Sequence, residues 1–306
     1  MSDLRFLKLG NKNLAGAIWM FFGVIFFAFT AVFIKLLGDS LHIFQIVFFR
    51  CLFGLIVVGP LIIKTGSNIF KLEKPSLHLI RVICAILGMS SGFYAISELE
   101  LATATALSFT RPLFMIVLAI FILNEVVGWR RGAATAIGFL GVVVIIQPGS
   151  TVFNPAMFSG LFAAIAVGGA LISVKLIVPY DSPEKIMLSF SIGTVIVSVI
   201  PAIFVWIEPQ SNDLILLILL GIFASLGQYC TIRAYEAGEA TLISPIDYLQ
   251  IIFLTFAGFY FFNEIPMITT LIGSLIIILS TLYILIRGAK KGATQPDAPS
   301  SPALMK

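Results

Sequence analysis

The chain has 306 residues, 59% of them apolar and 11% charged, with a net charge of +4 and a mean hydropathy of +1.08. A soluble domain is about 45–50% apolar and about 25% charged, so the soluble, disordered and collagen-like classes are excluded. Three cysteines, Cys51, Cys84 and Cys230, all inside apolar runs, are too few for a disulfide scaffold and read as small buried side chains. What remains is a polytopic helical membrane protein, each span taking about 20 residues.

Residues 1–13 are basic and polar, like the start of a signal peptide. The apolar run behind them has no small-residue cleavage site, so the first span is expected to be retained. Ten apolar segments are predicted, at 15–37, 42–63, 77–97, 102–123, 131–147, 156–178, 185–207, 214–235, 241–262 and 266–287. The longest connection, 64–76, contains Gly, Asn, Lys and Pro75 as breakers, and no connection has room for a soluble domain. The Gly/Ala/Pro/Ser-rich tail, 289–306, is expected to be disordered and cytoplasmic.

With the N-terminus placed inside, every Lys and Arg except Lys35, Arg50 and Arg111 falls on the inner side. This predicts ten transmembrane helices with both termini cytoplasmic. Lys35 ends span one on the outside. Arg50 and Arg111 lie within spans two and four, where a charge costs at least about 2.5–3.5 kcal/mol and marks a function by default.

Shifting the chain by 139 residues lays Glu100 on Glu239 and Asn124-Glu125 on Asn263-Glu264. At a shift of 140, Lys35 meets Lys175. Each half holds five spans, an odd number, so the second enters the membrane from the opposite side. The expected units are 14–149 and 150–288, two inverted five-helix repeats following a cytoplasmic segment, 1–13. Such pairs carry a substrate site near the midplane.

Polar residues gather in spans three, four, eight and nine. Under the 139 shift Ser108 faces Asp247 and Arg111 faces Gln250, so pseudo-equivalent helices bring a cation and an anion to similar depth. Pro112 and Pro245 each remove a backbone donor inside a span, and the freed carbonyls are tolerated beside a cavity. Arg111 is therefore a candidate for an anionic group of a substrate, and Asp247 for a cationic group or a coupling proton. A structural Arg111–Asp247 bridge is the alternative. Ser108, Tyr94, Tyr248, Gln228 and Gln250 complete the candidate pocket. Asp247, Arg50, Lys35 and Lys175 are candidates for coupling or gating, although Arg50 also reads as a structural cation and the two lysines as snorkelling side chains. Glu125 and Glu264, at outgoing helix ends, read as loop organisers.

Enzymatic readings have little support. Gly88-Met89-Ser90-Ser91-Gly92 matches a serine-hydrolase pattern but lies in an apolar helix with no base, and reads as a small-residue face for close helix approach. His42 and His78 are too few for a metal site, no cofactor fingerprint is present, and no basic patch with interleaved aromatics suggests nucleic acid. The expected partners are a small metabolite and membrane lipid. A homodimer is compatible with the sequence, but Gly128-xxx-Gly132 is too weak to assign one.

The stretches Phe93-Tyr94-Ala95, Ser108-Phe109-Thr110-Arg111-Pro112-Leu113-Phe114 and Leu123-Asn124-Glu125 look familiar. So do Arg233-Ala234-Tyr235, Ser244-Pro245-Ile246-Asp247-Tyr248-Leu249-Gln250 and Phe262-Asn263-Glu264 in the second half, and His42 through Arg50 at the start of span two. Over residues 14–288 the chain resembles the EamA group of the drug/metabolite transporter superfamily. The resemblance implies two inverted repeats around a central cavity in a bacterial inner membrane, and secondary transport of a small metabolite as proton-coupled export, import or exchange. With the charges inside the spans, the expected cargo is small and polar or zwitterionic. Asn124 and Asn263 replace the Gly usual in that family, and Asn can take the same backbone angles. A passive channel or facilitator, a lipid flippase and a membrane-embedded enzyme are the alternatives.

Overall fold

The computed structural model describes residues 2–65, 72–123, 128–149, 153–181, 183–237 and 240–292, and among these it is all helix, without a strand. The first half contains α1 (Ser2–Gly38), α2 (Ile43–Thr65), α3 (Pro75–Glu98), α4 (Leu101–Ser108), α5 (Arg111–Leu123) and α6 (Trp129–Ile146). The second contains α7 (Ala156–Ile177), α8 (Pro183–Phe204), α9 (Ser211–Ala237), α10 (Ala240–Asp247), α11 (Gln250–Phe262) and α12 (Ile268–Gly292). Among the described residues, nine stretches are long and apolar enough to cross a membrane. In α2 the described side chains give a shorter apolar stretch, Ile43–Ile56. Of the tail expected to be disordered, 289–306, residues 289–292 instead continue α12, and those beyond 292 lie outside the described residues.

Spans four and nine, predicted as continuous, are each broken in the middle. Pro112 cannot donate to the Ser108 carbonyl, and the chain tightens ahead of it, with Thr110 N–H bonded to Leu107 O at 3.1 Å and Leu113 N–H to Thr110 O at 2.9 Å. In span nine Pro245 precedes the break, where Leu249 N–H bonds Ile246 O at 3.0 Å and Ile251 N–H bonds Tyr248 O at 3.2 Å. These i→i−3 bonds replace the helical i→i−4 ladder at both sites.

The breaks coincide in the repeat. Helices α4 and α10 begin and end in step at the 139-residue shift, as do α5 and α11, and α12 begins in step with α6. The main packing pairs join one half to the other: α1 on α9, α3 on α7, α2 on α8 and α6 on α12. Gly88 makes the third helix fit its partner, since a Cβ there would stand 2.7 Å from Val167 Cγ2. That is the close approach expected of the Gly88–Gly92 pair, met at Gly88, whereas a Cβ on Gly92 would make an ordinary contact with Ala163 at 3.5 Å. Between α6 and α12, a Cβ on Gly273 would lie 2.6 Å from Gly141 O, and Ser280 Oγ donates to Ala134 O at 2.5 Å. The two contacts are the same contact under the shift, because Ala134 corresponds to Gly273 and Gly141 to Ser280. The outside of the bundle remains apolar, with Phe121, Phe204, Phe256 and Ile265 largely exposed, the inverse of a soluble protein.

Candidate functional site

The two breaks open onto one cavity of about 320 Å³. Small side chains make the room: Ala104 and Thr105 on α4, Gly88 and Gly92 on α3, and Gly160, Ala163 and Ala164 on α7 line it. Five of the sequence candidates meet there. Arg111 is the first residue of α5, Asp247 the last of α10, Gln250 the first of α11 and Ser108 the last of α4. Arg50 reaches the same cavity from α2, with Met89 beside it.

Both central charges occupy the unfavourable ends of their half-helices. A helix N-terminus carries about half a positive charge and a C-terminus about half a negative one. Arg111 adds a cation to the positive end of α5, and Asp247 adds an anion to the negative end of α10. Each charge thus strengthens the local field instead of cancelling it, giving one corner suited to an anion and one suited to a cation. The two attract each other through space but form no ion pair.

Other candidates lie elsewhere. Tyr248 turns its ring edge-on to Phe109, centroids 4.9 Å apart, among the residues packed against Leu107 and Leu113, and its hydroxyl reaches Thr281. Tyr94 lines a separate pocket of about 440 Å³ with Ser91, Ser97, Glu98 and His42. Gln228 is on an exposed flank of α9. The Lys175 side chain and Glu125 lie outside the described residues.

Lys35 is held by Glu264. Asn263 adopts the left-handed conformation, φ 53° and ψ 32°, with the backbone angles expected of Asn in place of Gly there. The chain then folds back so that Glu264 N–H bonds Gly258 O at 3.0 Å. The Glu264 carboxylate forms an ion pair with Lys35 and accepts the Leu101 N–H at 2.8 Å, while Lys35 Nζ donates to Leu99 O at 2.5 Å. This knot clamps the α3–α4 connection of one half to the end of α11 in the other. Burial, with Glu264 nearby, pushes the neighbouring Glu100 carboxyl above its ordinary value.

The opposite end of α3 carries a second knot that sequence reasoning missed. His78 Nε2 meets Asp181 Oδ2 at 3.1 Å, and its Nδ1 meets Ser189 Oγ at 2.7 Å. Arg81 donates to Ile186 O at 2.6 Å. Burial alone would raise the Asp181 carboxyl, but hydrogen bonds from His78 and the Glu73 N–H, with Lys185 beside it, hold it below the usual carboxylate range. Each knot ties one half of the chain to the other, one at each end of α3.

A helical bundle of two repeats, with a charged cavity at paired helix breaks, defines a membrane transporter. The EamA-like transporter family matches the chain twice, over residues 14–147 and 154–286, and the chain belongs to that family. It is a multi-pass transporter and not an enzyme. The S-adenosylmethionine uptake transporter of Rickettsia prowazekii (strain Madrid E) is 34% identical over 93% of this chain and 97% of its own length. That of Rickettsia bellii (strain RML369-C) is 35% identical over 88% and 93%. The riboflavin transporter of Rhizobium johnstonii is more distant, at 28% over 93% and 96%. A solved crystal structure shares the fold, with a TM-score of 0.60 at 14% identity over 91% of this chain and 99% of that one.

Proposed function

We propose that the chain is a secondary carrier that takes up S-adenosylmethionine, or a closely similar zwitterion, across a bacterial inner membrane by alternating access. The observation that carries this reading is the pair of opposite charges at the two helix breaks. S-adenosylmethionine has a carboxylate for the Arg111 corner and an ammonium group for the Asp247 corner. Riboflavin has no ionised group at neutral pH to match them. The greater identity to the two Rickettsia transporters favours the same choice.

Ten spans with both termini inside are supported by the segregation of Lys and Arg, and an inverted arrangement by the odd number of spans per repeat. The knots at the two ends of α3 suit alternate opening, since each would restrain the halves at one membrane face. Asp247 is the candidate for a coupling proton in a symporter, and the same cavity serves equally in an exchanger.

The test is uptake of labelled S-adenosylmethionine into proteoliposomes. Saturable uptake, counterflow with unlabelled compound, and a loss of about tenfold or more in Arg111→Ala and in Asp247→Asn are expected. Flux that neither saturates nor shows counterflow would replace the carrier with a passive facilitator. Uptake unchanged in both variants would remove the two residues from the site.

A further inference from the structure

Arg50 is a poorly satisfied charge in the cavity wall. Its guanidinium has five N–H donors, and its hydrogen bond among the described residues is from Nη1 to the Met89 thioether, Sδ, at 3.2 Å. Thioether sulfur is a weak acceptor. No carboxylate forms an ion pair with Arg50 or with Arg111 among the described residues. Two guanidiniums, from α2 and α5, therefore share a cavity with one carboxylate, Asp247. A cation inside a bilayer is normally paired, or else marks the path of a substrate. Asp247 can neutralise only one of these two, so among the described residues the cavity lacks a counter-charge for the other.

We propose that Arg50 acts with Arg111 as the receptor for the carboxylate of the cargo, and that it makes a carboxylate a requirement for transport. This deepens the carrier assignment above and rests on it. The planar fork of arginine matches the two oxygens of a carboxylate. Met89 is the acceptor that a carboxylate would replace: it is neutral and polarizable, holds the guanidinium at the cavity wall, and gives it up at little cost. Arg50 is thereby a specificity residue for the cargo's acidic end, while Asp247 serves its cationic end.

The test compares uptake of S-adenosylmethionine with uptake of its decarboxylated form, which keeps the nucleoside, sulfonium and amine. The wild-type carrier is expected to favour the carboxylate form by about tenfold or more, since a site built to bond a charged group rejects the analogue that lacks it. Arg50→Ala is expected to bring the two rates within about twofold of each other, through loss of S-adenosylmethionine uptake. Arg50→Lys keeps the charge without the fork and is expected to fall between. Should Arg50→Ala not yield folded protein, Arg50→Gln reads the same ratio. Equal uptake of both compounds by the wild type overturns the carboxylate receptor and leaves the carrier standing. A preference that survives in Arg50→Ala or Arg50→Gln removes Arg50 from it. Uptake of neither compound overturns the carrier assignment and this proposal with it.

Discussion

Replacing Glu264 by Ala removes two interactions at once. The ion pair with Lys35 is buried, its side chains 13% and 14% exposed, and the Leu101 N–H loses its acceptor at 2.8 Å. Breaking a buried pair by deleting one partner costs about 3–5 kcal/mol, and orphaning a buried donor about 1–3 kcal/mol. Lys35 keeps the Leu99 carbonyl, which lessens the loss. The expected destabilisation is about 3 kcal/mol, roughly two decades in the folding equilibrium. Glu264→Gln keeps one carbonyl oxygen, for the Leu101 N–H, and sets its NH2 donor where the other oxygen met Lys35. It retains the hydrogen bond, loses the ion pair and is expected to fall between wild type and Glu264→Ala. Unfolding of the detergent-solubilised protein would be compared for Glu264→Ala, Glu264→Gln, Lys35→Met and the double variant. The cycle should show a coupling between Lys35 and Glu264 of at least about 1 kcal/mol. If Glu264→Ala lost less than about 1 kcal/mol and the two sites behaved additively, the account of this knot would be refuted.

Helix packing gives a contrasting pair: Gly273→Ala pushes a Cβ to 2.6 Å from Gly141 O and should destabilise by about 1–3 kcal/mol. Gly132→Ala meets nothing within 4 Å and should stabilise by up to about 1 kcal/mol, both read from thermal unfolding. Pro112→Ala returns a donor to the Ser108 carbonyl and should straighten α4 into α5, so uptake should fall while stability holds or rises. Because the folded Asp181 carboxyl lies below its ordinary value of 3.8, its contribution is present above that value and is lost as pH falls through the folded one. An acid-unfolding scan should therefore show Asp181→Asn less stable than wild type at neutral pH, the two converging in strong acid. Glu100 has the opposite sign: its carboxyl is pushed up, so its charged form opposes folding, and Glu100→Gln should stabilise at neutral pH but not in acid.

Arg111, Asp247 and the repeat that aligns them were legible because a charge within an apolar run is conspicuous and the register of 139 survives in the motifs. The helix breaks were half legible. The prolines mark weakened backbone, but Pro112 follows its break and Pro245 precedes its own, so neither locates it. Tyr94 shows how one helix can serve two pockets. It falls in line with Leu87, Ser90, Ser91, Ser97 and Glu98 at helical spacing, a stripe turned away from the cavity face of Gly88, Gly92 and Ala95. Tyr248 is one residue from Asp247, and that single step carries it into the break, where it packs against Phe109. The partners of Lys35 and His78 were hidden for a simpler reason. Each is in the other half of the chain, and local pattern says nothing of which distant carboxylate a cation will meet.

The glycine contact between α6 and α12 has a consequence for how the protein is made. The helix that closes the first half packs chiefly on the last helix of the second, and little on its own neighbour α5. A ribosome delivers α6 long before α12, so Gly141, which packs on Gly273 and Ile277 of α12, must wait in lipid while five more helices are inserted ahead of α12. Gly138, by contrast, already faces Leu113 of α5. The first half cannot be finished before the second arrives. A chain cut short ahead of Ile268 would therefore lose more than one helix: its earliest-made bundle would be left open, a ready target for quality-control proteases.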